Sequence, residues 1–288
     1  MEQYMAENII HFYYSKLAGA SQQMAHAPGK KIIHSLRVDV KKLRAFCRLL
    51  SLEKQEAHAL KLPRRLKKMY ARAGIARDLQ LQIKNVEDYS RQQNIHPGSL
   101  LAALRYQLKK NREKKEPLLT KKYFERQAQK TAGQLPIQLR PATLQRFFRQ
   151  KKEAIGHIVE RGSFAPDELH TIRKNIKDIL YTTRIYTEDA GNALPPESWK
   201  EGELESLEAL ANELGKYNDI GSSLSYLQHI STGYRGKDKK AVLSYYQSRI
   251  QEQKTLRPRI IAALLLTCRP YGASNSIQKE DTLPVNDR

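Results

Sequence analysis

An all-α fold is predicted by three features of the 288-residue sequence. Long stretches are built from Leu, Ala, Lys, Arg, Gln and Glu, which lose little side-chain entropy in a helix, whereas Trp occurs once and Val is scarce. Apolar residues recur at spacings of three and four, as on one face of a helix. Gly and Pro fall between these runs, where helices end.

Taken in order, the apolar spacing predicts helices over 3–20 and 29–52, parted by Ala27-Pro28-Gly29. In the second of these, Ile33, Leu36, Val40, Leu43 and Cys47 form one apolar stripe. Helices over 56–73 and 76–93 follow, with Gly74 at the break, and His96-Pro97-Gly98 opens a helix over 98–116. A short helix over 120–130 precedes a linker around Gln127 to Pro141, and a longer one covers 138–161. Pro166-Asp167 starts a helix over 166–187, with Leu169, Ile172, Ile176 and Ile179 as its apolar stripe. Gly191 to Pro196 breaks the chain before helices over 198–215, 218–231 and 237–267. Beyond Cys268 the residues Arg269 to Arg288 read as a polar tail, expected to be disordered.

Charge narrows the function classes. The formal net charge is +21, from 51 Lys plus Arg against 30 Asp plus Glu, and such a surplus calls for a polyanionic partner. Residues 1–140 hold 29 basic and 11 acidic residues, whereas 141–288 hold 22 and 19, so the first half is expected to dominate the field. The two cysteines, Cys47 and Cys268, form neither a CxxC pair nor a metal-ligand spacing, which fits a reducing cytoplasm and no zinc. No leader pattern opens the chain and no run reaches the roughly 18–20 apolar residues of a membrane helix, so neither export nor a membrane is expected.

The sequence also repeats itself. Residues 33–41, Ile-His-Ser-Leu-Arg-Val-Asp-Val-Lys, align with 169–177, Leu-His-Thr-Ile-Arg-Lys-Asn-Ile-Lys, at an offset of 136, and Arg48 then meets Arg184. Gly74 to Leu79 aligns with Gly215 to Ile220 at an offset of 141, and Tyr106-Gln107 with Tyr246-Gln247 at 140. Nearly constant offsets imply a duplication, with halves at 1–130 and 138–268, each a bundle of about four main helices.

Both copies carry a cationic column. At about 100° per residue, His34, Arg37, Lys41, Arg44 and Arg48 fall within an arc of about 80° beside the apolar stripe, and His170, Arg173, Lys177 and Arg184 repeat the pattern. An ordinary solvated face would mix signs, with Glu placed to relieve Lys, whereas stacked like charges are destabilising until an anion fills them. Arg offers a fork for two phosphate oxygens, Lys a mobile point charge and His a donor that gains charge near phosphate. Steps of roughly 5 Å along the helix suit a linear phosphate polymer better than one compact anion. Further cations on neighbouring helices, Lys68, Arg72, Arg77, Arg105, Lys109, Arg112 and Arg249, are candidates to extend the surface.

The doubled H-x-x-R-x-x-x-K motif on helices resembles the CHAD family, the histidine-containing α-helical domains, from about residue 5 to about 267. The resemblance implies two four-helix bundles related by pseudo-two-fold symmetry, a basic central channel or groove, binding of inorganic polyphosphate, and association with polyphosphate granules. By motif position the family's histidines match His34 and His170, and the basic positions match Arg37, Lys41, Arg173 and Lys177. Where the family often has another cation this chain has Leu180, so the counterpart of Arg44 is missing.

The expected activity is therefore binding without catalysis and without a cofactor. No Walker loop, nucleophile elbow, Rossmann fingerprint or E-x-E-x-K strand occurs, and Glu201-Gly202-Glu203-Leu204-Glu205 reads as a solvated helix face. Nucleic acid is the competing partner on charge alone, although no homeodomain, zinc-finger or RNP pattern is present and Tyr residues do not interleave the basic column. A phosphotransfer or metal-dependent enzyme would use His34, or Asp39, Asp78 and Asp219, which are widely spaced; Asp78 and Asp219 are expected to cap or brace helices.

Overall fold

The apolar stripes of 29–52 and 166–187 sit where the spacing puts them. Ile33, Leu36, Val40, Leu43 and Cys47 are all at most 3% exposed, and Leu169, Ile172, Ile176 and Ile179 at most 1%. Burying the stripes commits the adjacent cationic faces to a shared boundary, because the two helices pack on each other. The computed structural model describes residues 1–26, 29–54, 60–113, 119–195, 201–230 and 233–268. The expected tail at 269–288 lies outside the described residues.

The elements are α1 (Gln3–His26), α2 (Lys30–Lys54), α3 (Arg64–Gln93), α4 (Gly98–Glu113), α5 (Lys121–Ala132), α6 (Pro141–Arg161), α7 (Pro166–Arg184, continued by a π turn Ile185–Asp189), α8 (Glu201–Ile230) and α9 (Gly236–Thr267). The fold is all-α, and among the described residues an isolated bridge between Glu2 and Gln138 is the one strand-like pairing. That bridge ties the linker before α6 to the N-terminus, with Leu139 N donating to Met1 O at 2.9 Å. Packing runs α1 on α2, α2 on α3 and α3 on α4, and the same order recurs as α6 on α7, α7 on α8 and α8 on α9. Helix α5 packs on α1, and α2 meets α7 and α6 across the halves.

The apolar core does not stop at the boundary between the halves. One buried cluster runs from Ile10 and Leu36 through Phe147 to Ile176 and Leu214, and a second joins Leu79, Ile83 and Val86 of α3 to Leu227 of α8 and Tyr245 of α9. Tyr89 of α3 and Ser244 of α9 also share a hydrogen bond of 2.7 Å. The two halves thus share apolar core across their boundary.

Two expected breaks are absent. The stretches 56–73 and 76–93 form one helix that starts at Arg64 after Pro63, and 198–215 and 218–231 form one helix from Glu201. Residues 55–59 and 196–200 lie outside the described residues. Gly74 and Gly215 are interior to α3 and α8, where glycine weakens a helix by about 1 kcal/mol relative to alanine. Close approach of an arginine explains the first, because a Cβ on Gly74 would collide with the Arg37 guanidinium, whereas one on Gly215 would lie 3.4 Å from Arg173 Nε, an ordinary contact. Equivalent glycines thus receive equivalent motif arginines, and the repeat is a repeated packing contact.

Candidate functional site

Where α2 and α7 meet, their cationic faces turn into one groove of about 380 Å³, walled on its other sides by α3 and α8. His34, Arg37, Lys41, Arg44 and Arg48 line it from α2, His170, Arg173 and Lys177 from α7, and Arg77 from α3. Lys174 and Tyr181 of α7 and Tyr70 of α3 join them, none of which the sequence reading selected. Eight Lys and Arg side chains and two His thus face three Asp, which makes the groove strongly positive.

Lys41 is central. Burial presses its ammonium down to about 8, and Arg37, Arg173 and Lys177 add to the effect from both halves, with Asp219 opposing. Lys177 is lowered for the same leading reason, burial, with Glu208 opposing and Arg173 and Arg184 reinforcing. Both histidines are held below their usual value, His34 by burial and then Arg77, Lys41 and Arg37, and His170 by burial and then Lys174. His170 also shares a 2.9 Å hydrogen bond between Nδ1 and Asn218 Oδ1, which opposes its shift. All four groups are thus shifted towards their uncharged forms.

Tyr70 fills a position the column left open. Its ring lies 4.8 Å from Arg37 Cζ and 4.9 Å from Arg44 Cζ, so one aromatic face system braces two guanidinium groups. Tyr70, Gly74, Arg77 and Asp78 follow helical spacing on α3, a signal readable once Gly74 is placed inside the helix. Leu180, at the position of the missing cation, is 4% exposed and belongs to the core.

The three carboxylates differ in role. Asp178 of α7 is buried and accepts from Arg48 Nη1 at 2.6 and 2.8 Å and from Lys151 Nζ at 2.9 Å, which locks α2, α6 and α7 together. Arg48 therefore reaches the groove already paired. Asp78 and Asp219 lie inside α3 and α8, not at their starts, so the expected capping role is replaced by a place on the groove wall. Burial raises both carboxyl groups against the pull of Arg37, Lys41 and Arg77 on Asp78 and of Arg173 on Asp219, and each carboxylate tempers the cations around it. Asp39 faces elsewhere, paired with Lys16 at 3.0 Å. Among the described residues no three His, Cys, Asp or Glu side chains converge as a metal site.

The remaining candidate cations do not line the groove. Arg72 donates through Nε and Nη2 to Asn111 O, at 3.2 and 2.8 Å, and caps the end of α4. Arg105 pairs with Glu87 at 2.8 Å, Lys109 with Glu113 at 3.8 Å, and Arg184 with Glu208 at 2.5 Å. Arg249 is buried beside Glu252, while Lys68 and Arg112 are exposed outside the groove. Spacing placed Arg105, Lys109 and Arg112 on one face of α4 but carried no information on where that face points.

Comparison with known proteins agrees with the architecture. The CHAD domain family model matches residues 9–228, and the chain belongs to the CHAD family. A crystal structure of the CHAD domain from the plant Ricinus communis superposes with a TM-score of 0.68 at 15% identity, covering 93% of this chain and 91% of that one. No curated protein matches the sequence.

Proposed function

We propose that the α2–α7 groove binds a linear polyanion, foremost inorganic polyphosphate, and that it does so without catalysis. The observation that carries this reading is the convergence of Arg37, Lys41, Arg44, Arg77, Arg173, Lys174 and Lys177 on one groove, where burial and the neighbouring cations lower Lys41 to about 8. A row of forked and point-charge donors suits successive phosphates, and no nucleophile and base pair is aimed into the row. The family resemblance supports the choice of polymer and is the ground for proposing a cytoplasmic protein associated with polyphosphate granules. No described helix is long and apolar enough to cross a membrane. Nucleic acid fits less well, because the Tyr70 ring is engaged by Arg37 and Arg44 and is not free to stack a base.

Two titrations test the proposal together. Affinity for polyphosphate rises with chain length and falls steeply with salt, since a chain that meets several cations releases counterions in proportion. Competition by RNA or DNA is weak beside competition by unlabelled polyphosphate. Equal affinity for triphosphate and long chains, or binding indifferent to salt, would contradict the reading.

A further inference from the structure

Beside the groove lies a second cavity of about 760 Å³ between the start of α7, α8 and α9. His170, Asn218 and Ser222 line both spaces, so the two adjoin at these three residues. Their chemistry is opposite: none of the cavity's lining residues is Asp, Glu, Lys or Arg. Leu169, Tyr217 and Tyr226 give it apolar and aromatic wall, and Asn218, Ser222 and Gln253 give it hydrogen-bonding groups.

The duplication shows how this cavity arose. At the offset of 141 that pairs Gly74 with Gly215, Gly221 corresponds to Gln80, a buried side chain 3% exposed in the first half. Asn218, Ser225 and His229 correspond to Arg77, Lys84 and Asp88, so the second half has exchanged charged residues for neutral ones around a space opened by glycine. Tyr217 replaces Ala76 and adds a ring. The second half thus keeps its motif cations on α7 but has an uncharged room at the end of the row.

We infer that this cavity takes the nucleobase end of a nucleoside 5′-polyphosphate whose phosphates run into the basic groove past His170. A planar, neutral, polar-edged group matches tyrosine walls and amide and hydroxyl donors, whereas a free phosphate would find no counter-charge there. The volume is within the range of roughly 300–1,000 Å³ typical of sites for molecules of this size. The inference rests on the phosphate-groove reading for the charged part of the ligand.

Calorimetry with adenosine 5′-tetraphosphate and inorganic tetrapolyphosphate, at one salt concentration, separates the two ideas because the phosphate count is the same. The nucleoside form is expected to bind at least ~10-fold tighter, the order of one base stacked on an aromatic side chain. Gly221→Gln, which restores the side chain of the first half, is expected to abolish that gain and leave tetrapolyphosphate affinity unchanged. A Cβ at Gly221 lies 3.8 Å from Gln253 Nε2, an ordinary contact, so the side chain can leave the helix there without a clash at its first atom. Tetrapolyphosphate binding as tight as or tighter than the nucleoside form in the wild-type chain overturns the inference without help from any variant. A nucleoside gain that persists in Gly221→Gln removes it from this cavity. Binding of neither tetraphosphate while long-chain polyphosphate binds overturns the inference alone, and failure of long-chain polyphosphate as well overturns the phosphate-groove reading itself.

Discussion

Lys41 reports most sensitively on what the groove is for. Its ammonium is lowered to about 8 by burial and by cations from both halves, and a bound phosphate chain supplies the negative charge that raises it again. Below that value Lys41 is charged with or without ligand, and its own contribution to affinity is complete. As pH rises through it, the free groove loses a proton that the complex retains, so binding takes up a proton and weakens. Lys41→Arg keeps its charge throughout and removes this decline. Calorimetry at about pH 8.5 in buffers of different ionisation enthalpy measures the uptake; none in the wild-type chain contradicts the assignment. His34 and His170, both lowered, add a second rise in affinity as pH falls through the histidine range. The sequence revealed the column but not the centrality of Lys41, because its neighbours Arg173 and Lys177 come from a helix more than a hundred residues away. Tyr70 was missed for a similar reason, since its partners Arg37 and Arg44 lie on another helix.

At the scale of the helix, α2 and α7 are not equal partners. The structure brings Lys174 into the groove and so narrows the difference that the charge count of the two halves suggested. Arg44 still has a buried leucine, Leu180, as its counterpart, and Arg77 on α3 has the neutral Asn218 on α8. Arg37→Ala with Lys41→Ala is therefore expected to weaken polyphosphate binding more than Arg173→Ala with Lys177→Ala, each lost charge-assisted contact removing about 1.5–3 kcal/mol. Affinities of the two double variants measured side by side decide this, and an equal or larger loss from the α7 pair contradicts it. Gly74→Ala is a finer probe: its methyl displaces the Arg37 guanidinium while the substitution favours the helix itself. Weaker polyphosphate binding with an unchanged or raised melting temperature is expected, and unchanged binding would mean that Arg37 needs no support from α3. Element identity was legible from apolar spacing, and the stripes on α2 and α7 are buried as read. The breaks at Gly74 and Gly215 were not, because a glycine that admits an arginine looks, in one dimension, like a glycine that ends a helix.

At the scale of the molecule, the two repeats pack into one body, and the groove lies where they meet. The buried clusters cross from one half to the other, and the Arg48–Asp178–Lys151 network locks α2 to α7 and α6 at the groove edge. The net charge of +21 pointed to a polyanion but not to the groove, and many of the cations counted toward it are held by neighbouring carboxylates or carbonyls. The pairing of repeats fixed which histidines and arginines belong together; only the packing of α2 on α7 makes them one surface. The most direct measurement is a crystal structure of the protein soaked with polyphosphate. Ordered phosphates are expected along the groove, within hydrogen-bonding distance of Arg37, Lys41, Arg173 and Lys177 together. A chain ordered instead on the exposed cations around Lys68 and Arg112, with the α2–α7 groove free of phosphate, would contradict the account.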